Sequence, residues 1–84
     1  MIKIADLDNL VERLNILKKQ SIIRFKDGKS VVGHYCLDYA YGGVGLEQIT
    51  NDCGGVRNIT NGHITKREMH GILLAILAMG NGDE

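Results

Sequence analysis

The sequence predicts an α+β fold, a small antiparallel sheet packed by two helices. Three observations predict it. Leucines recur at helical spacing near the start, Asp27-Gly28 joins two strand-like runs, and Thr65-x-x-Glu68 opens an apolar stretch near the carboxyl end. On this reading an N-terminal helix spans 6–19 and a hairpin spans 22–37, with short strands within 44–60 and an apolar C-terminal helix over 65–79. At 84 residues the chain is expected to form a single domain, 1–84.

Asp6 suits the N-cap of the first helix. Leu7, Leu10, Val11, Leu14 and Leu17 then repeat at helical spacing as far as Lys18-Lys19. Asp8 and Glu12 lie towards its start and the two lysines at its end, as the macrodipole prefers. Leu7, Leu10, Leu14 and Leu17 also fit a heptad seam. Two heptads are too few for an independent coiled coil, so these leucines are read as core.

Asp-Gly is a two-residue hairpin signal, because a type I′ turn needs positive φ at both positions. Pairing Lys26 with Lys29 places Phe25 opposite Ser30 and Ile23 opposite Val32. Ile23, Phe25, Val32, His34 and Cys36 then share one face. Ile22, Arg24, Val31, Tyr35 and Leu37 share the other, so both faces need cover near Leu37. Residues 38–45 are rich in Gly and Tyr. Leu46–Thr50 and Val56–Thr60 read as short strands joined at Gly54-Gly55, and Asn61-Gly62 as a tight turn.

Thr65 and Glu68 form a capping box for the last helix. Gly80 suits a left-handed C′ position, and Asn81-Gly82 does not extend a helix. Met69, Ile72, Leu73, Ile76 and Leu77 make one apolar stripe. Leu74, Ala75, Ala78 and Met79 are apolar as well, so the last turns have no polar face. Either the domain wraps this helix completely, or Leu74, Ala78 and Met79 face a second subunit of a homo-oligomer. A membrane is not an expected partner, since a span needs roughly 20 apolar residues.

Ten basic and ten acidic side chains leave no formal net charge. Nucleic-acid binders draw affinity from neutralised phosphates, so DNA is not an expected partner. Without tryptophan and with one phenylalanine, the core must be aliphatic. A core this small is often supplemented by oligomerisation. Two cysteines and a start without a hydrophobic leader point to a reduced, cytoplasmic setting.

No metal is expected. Of His34, Cys36, Cys53, His63 and His70, only His34-x-Cys36 is a close pair, whereas structural zinc sites favour C-x2-C. No nucleophile carries a recognisable base, and nothing selects among Asp38, Glu47 and Asp52 as acid–base carboxylates. The chain therefore reads as non-enzymatic and free of cofactors. The best candidate chemistry is anion binding. Dense glycines let a backbone approach a ligand closely, and a helix N-terminus offers free N–H groups. The candidate ligand residues are Tyr39, Tyr41, Gly42, Gly43, Arg57, His63, Thr65, Lys66, Arg67 and His70. The competing reading makes the glycines tight turns and Lys66-Arg67 a solvated first turn. A second basic cluster comprises Lys18, Lys19, Arg24, Lys26 and Lys29. It faces either an acidic protein or nucleic acid, or serves as a charged edge that discourages aggregation.

Tyr41-Gly42-Gly43-Val44, Gly54-Gly55-Val56 after Asn51, and Thr65-Lys66-Arg67-Glu68 resemble a set of small phage and prophage proteins of gut bacteria. The resemblance covers residues 40–79 and brings no assigned activity. It implies a setting, the bacterial host's cytoplasm, in which small phage proteins sequester host signals or block host proteins. The function expected is a homo-oligomeric binding protein that sequesters a phosphate-bearing small molecule, such as a nucleotide signal. The alternative is an inhibitor that docks on a host protein through the apolar helix or the basic hairpin.

Overall fold

The computed structural model describes residues 1–80. Its elements in order are α1 (Ile4–Leu17), β1 (Phe25–Lys26), β2 (Lys29–Ser30), β3 (Tyr35–Ala40), β4 (Gly43–Ile49), β5 (Val56–Asn58) and α2 (Lys66–Gly80). The strands form two antiparallel sheets, β1-β2 and β3-β4-β5. Leu7, Leu10, Val11 and Leu14 of α1 meet Val44 and Leu46 of β4 and Met69 and Leu73 of α2 in one buried cluster. The α+β class and the aliphatic core are as the sequence predicts.

The first helix begins two residues before its expected 6–19 span and ends two residues before it. Asp6 is not the cap. It lies inside the first turn, where its carboxylate accepts the backbone N–H of Lys3 at 2.9 Å. Lys18 and Lys19 follow the helix instead of closing it. Lys19 takes a left-handed conformation, φ 58°. Its N–H donates to the Ile16 carbonyl at 3.1 Å, and that of Gln20 to Asn15 at 2.7 Å. This is a Schellman ending with lysine where glycine is usual. A side chain in that conformation costs about 1–2 kcal/mol. Lys19→Gly is therefore expected to stabilise the fold by about 0.5 kcal/mol, after the extra chain entropy of glycine, and to raise Tm by a few degrees in a thermal melt.

The Asp27-Gly28 turn forms as expected, with φ 54° and 79°. The register is also as expected, Phe25 opposite Ser30 and Lys26 opposite Lys29. The 22–37 hairpin does not extend further, however. Gly33, at φ 95°, turns the chain away, and its N–H donates to the Ile49 carbonyl at 2.8 Å. The expected second arm is thus divided. Its end becomes β3, which pairs with β4 from Tyr35↔Gln48 to Ala40↔Gly43. Val32 is left exposed, while His34 and Cys36 are buried. The expected shared face of Ile23, Val32 and Cys36 does not exist.

Tyr41 and Gly42 close β3 onto β4 with φ 55° and 73°, a second turn of the mirror-image type. Strand β4 begins at Gly43, earlier than the expected Leu46. Strand β5 pairs as Gln48↔Arg57 and Ile49↔Val56 and stops at Asn58, short of the expected Thr60. The chain then bends away through residues 59–63, and Ile64 rejoins β4 by exchanging both backbone bonds with Val44, at 2.8 and 2.9 Å.

The capping box of α2 forms. Glu68 N–H donates to the Thr65 hydroxyl at 3.1 Å, and Thr65 N–H donates to the Glu68 carboxylate at 3.2 Å. Gly80 is helical and buried, not a left-handed C′ residue. A Cβ there would strike the Leu17 side chain, so glycine permits the two helices to close at this end. The expected stop at Asn81-Gly82 lies outside the described residues. The apolar helix is covered on one side only: Met69 and Leu73 are buried and Ile76 and Leu77 pack partly, while Leu74, Ala75, Ala78 and Met79 are exposed. No helix among the described residues is long and apolar enough to cross a membrane.

Candidate functional site

The fold divides the expected ligand corner between two sides of the β3–β4 turn. On the helix side, Tyr39, Gly42, Gly43 and Lys66 line one shallow hollow of about 320 Å³, with Ile4 and Ala40. Burial pushes the Tyr39 hydroxyl above its ordinary range, and the neighbouring Asp8 carboxylate adds to the rise. Lys66 and Arg67 also border a hollow of about 480 Å³ with Met1 and Ile2. Both cations are exposed at the start of α2.

On the opposite side, His63 Nε2 lies 2.7 Å from Asp38 Oδ2. The ring of Tyr41 meets that of His63 edge-on, with centroids 5.8 Å apart. Gly45 lies beneath this imidazole, where a Cβ would make ordinary contact 3.6 Å from His63 Cδ2. Gly43 is needed for another reason: a Cβ there would come within 2.9 Å of the Ile64 carbonyl. Asp38 is a residue that the sequence reading left unselected. It is 25 positions from His63 and only the sheet register joins them.

Arg57 is not in the corner. It stands opposite Gln48, five residues along β4 from Gly43, or roughly 17 Å of strand. Its guanidinium donates to Gln48 Oε1 at 2.8 and 3.0 Å. Thr65 is committed to the helix cap, and the Glu68 carboxylate already occupies the positive end of α2. An anion would share that end with an existing negative charge. His70 lies one turn beyond Lys66, half-buried. Tyr39, Gly42, Gly43 and Lys66 are therefore the expected ligand residues that converge on the helix side.

Among the described residues, no three His, Cys, Asp or Glu side chains cluster as a metal site. Cys36 is buried and Cys53 exposed. Burial raises the Cys36 thiol above its usual range, more than nearby Arg24 lowers it, and Glu47 and Asp38 add to the rise. The fold thus favours the neutral thiol. That stabilisation is present below the ordinary thiol pKa and is lost as pH rises through the higher folded value. In the native protein iodoacetamide is expected to label Cys53 rapidly at neutral pH, and Cys36 at least tenfold more slowly. Mass-resolved labelling kinetics check this; equal rates would show that the β3 thiol is accessible.

The site that sequence reasoning missed is structural. Asn15 on α1, 1 % exposed, grips the outer edge of β3. Its Oδ1 accepts Tyr35 N–H at 2.7 Å, and its Nδ2 donates to the carbonyls of Tyr35 at 3.0 Å and Val11 at 3.2 Å. One side chain thus satisfies both outward-facing backbone groups of an edge-strand residue and fixes α1 to the sheet. No protein-family model, curated protein or solved structure matches this chain.

Proposed function

We propose that this chain is a non-enzymatic binding protein that self-associates through the outer face of α2. The observation that carries the reading is the exposure of that face: Leu74 is 46 % and Met79 71 % exposed, with Ala75 and Ala78 open between them. Side chains of this kind recover about 25 cal/mol per Å² when covered. A helix apolar on its outer side favours a partner over water. The phage setting implied by the resemblance gives such a module its role, occupying a host protein or a host signal.

The test is light scattering at micromolar concentration. The parent is expected above the 9.2 kDa monomer mass, and Leu74→Asp at that mass with an unchanged circular dichroism spectrum. A parent that is monomeric at every concentration overturns the reading.

A second reading has its own support. Tyr39, Gly42, Gly43 and Lys66 combine an aromatic ring, bare backbone and a cation around one hollow. This suits a phosphate-bearing small molecule, a nucleotide among them. Calorimetry against a panel of linear and cyclic nucleotides tests it. A binding isotherm weakened at least tenfold by Lys66→Glu supports it, and the absence of heat and of any Tm shift counts against it.

A further inference from the structure

The β1–β2 hairpin carries a feature that neither reading uses. Every residue from Ile22 to Lys29 is exposed. Ile22, Ile23, Phe25 and Val32 are each more than half exposed, an apolar group on the smaller sheet and its flanks. Arg24, Lys26 and Lys29 stand on the same hairpin, and Lys18 and Lys19 precede it at the end of α1. Residues 18–32 hold five of the ten basic side chains and one of the ten acidic ones, so this stretch carries +4 and the rest of residues 1–80 carries −2. The zero net charge therefore conceals a basic segment.

The hairpin joins the body through its second arm. Ser30 N–H donates to the Asp52 carbonyl at 3.1 Å, and Lys29 Nζ lies 3.8 Å from Asp52. That ion pair is solvent-exposed on both sides and contributes little. The Arg24 guanidinium sits 5.4 Å from the centre of the Phe25 ring, so charge and apolar surface are contiguous.

We propose that this hairpin is an interfacial anchor for an anionic lipid surface. The surface has two requirements at once, anions for the cations and an apolar layer for Ile22, Ile23, Phe25 and Val32. A bilayer interface meets both, with phosphates above and acyl chains just beneath. Nucleic acid meets only the first, since three aliphatic side chains gain little on a phosphate backbone. A second copy of the same hairpin is disfavoured by charge, because the net +2 of residues 22–32 (Arg24, Lys26 and Lys29 against Asp27) would meet +2. The absence of a spanning segment does not bear on this contact, which needs only a shallow insertion.

The experiment is co-sedimentation of the full chain with vesicles of equimolar phosphatidylglycerol and phosphatidylcholine, and with pure phosphatidylcholine. Binding is expected to the anionic vesicles, at least tenfold weaker to the neutral ones, and to fall as salt is raised. Lys26→Glu should weaken it by more than about fivefold, the loss for one neutralised cation. The double variant Ile23→Ser, Phe25→Ser keeps every charge and replaces exposed side chains, so it should fold as the parent does. It is expected to bind at least tenfold more weakly. No binding to anionic vesicles at low salt overturns the proposal. So does a double variant that binds as well as the parent, which would reduce the contact to charge alone. So does capture of nucleic acid or an acidic protein by this patch in preference to vesicles. Failure here leaves the α2 reading untouched, since Leu74 lies on another element.

Discussion

Asn15→Ala is expected to lower the stability of the fold by about 3 kcal/mol and Tm by roughly 15 °C. The loss has two sources. The Tyr35 N–H and carbonyl lose their partner where α1 covers the sheet edge, and an unsatisfied buried group costs about 1–3 kcal/mol. The helix also loses its polar attachment to β3. Alanine is the better helix former by about 0.6 kcal/mol, which offsets only part of this. Asn15→Leu keeps most of the volume but not the bonds, and is expected to lose nearly as much. Thermal melts of both variants check the argument. If the leucine variant melts with the parent, packing and not hydrogen bonding joins α1 to β3.

Leu73→Ala is expected to cost about 3–5 kcal/mol, as a fully buried leucine that leaves a cavity. Domains of this size have roughly 4–13 kcal/mol in all. The variant should therefore be largely unfolded at 37 °C, or unfold at a much lower urea midpoint. Leu74, the next residue, gives the contrast. It is half exposed, so Leu74→Asp should spare the monomer fold and affect only association. Two adjacent leucines with opposite outcomes separate the core-facing side of α2 from its outer side. Urea titration reads the first variant and light scattering the second. A small loss at Leu73 would mean that the helix packs loosely on β4.

Local chemistry was legible without a structure. Asp27-Gly28 set both its turn and its register, since a two-residue turn with positive φ leaves one way to pair the flanking residues. Thr65 and Glu68 cap α2 for the same reason: both bonds close within one turn. Tyr41-Gly42 makes an equivalent turn that the sequence does not signal, because tyrosine seldom enters the left-handed region. Lys19 concealed the end of α1 in the same way. Asn15 looked like a neutral polar residue in a helix, since its partner Tyr35 is 20 positions away. Of the expected ligand corner, Arg57 falls outside because nearness in sequence is not nearness in space. Val56–Asn58 pairs at the far end of β4.

By itself, then, the amino-acid order determined the fold class, the aliphatic core, the first hairpin turn and the capping of the last helix. These depend on periodicity and on contacts within a few residues, where the chain has little freedom. Only the tertiary structure decided that the expected hairpin divides at Gly33, that Asp38 meets His63, and that α2 is covered on one side. It also decided that Ile22, Ile23, Phe25 and Val32 stay exposed beside the basic residues of the first hairpin. Each of these rests on sheet register and layer packing, which bring together residues whose separation along the chain carries no signal.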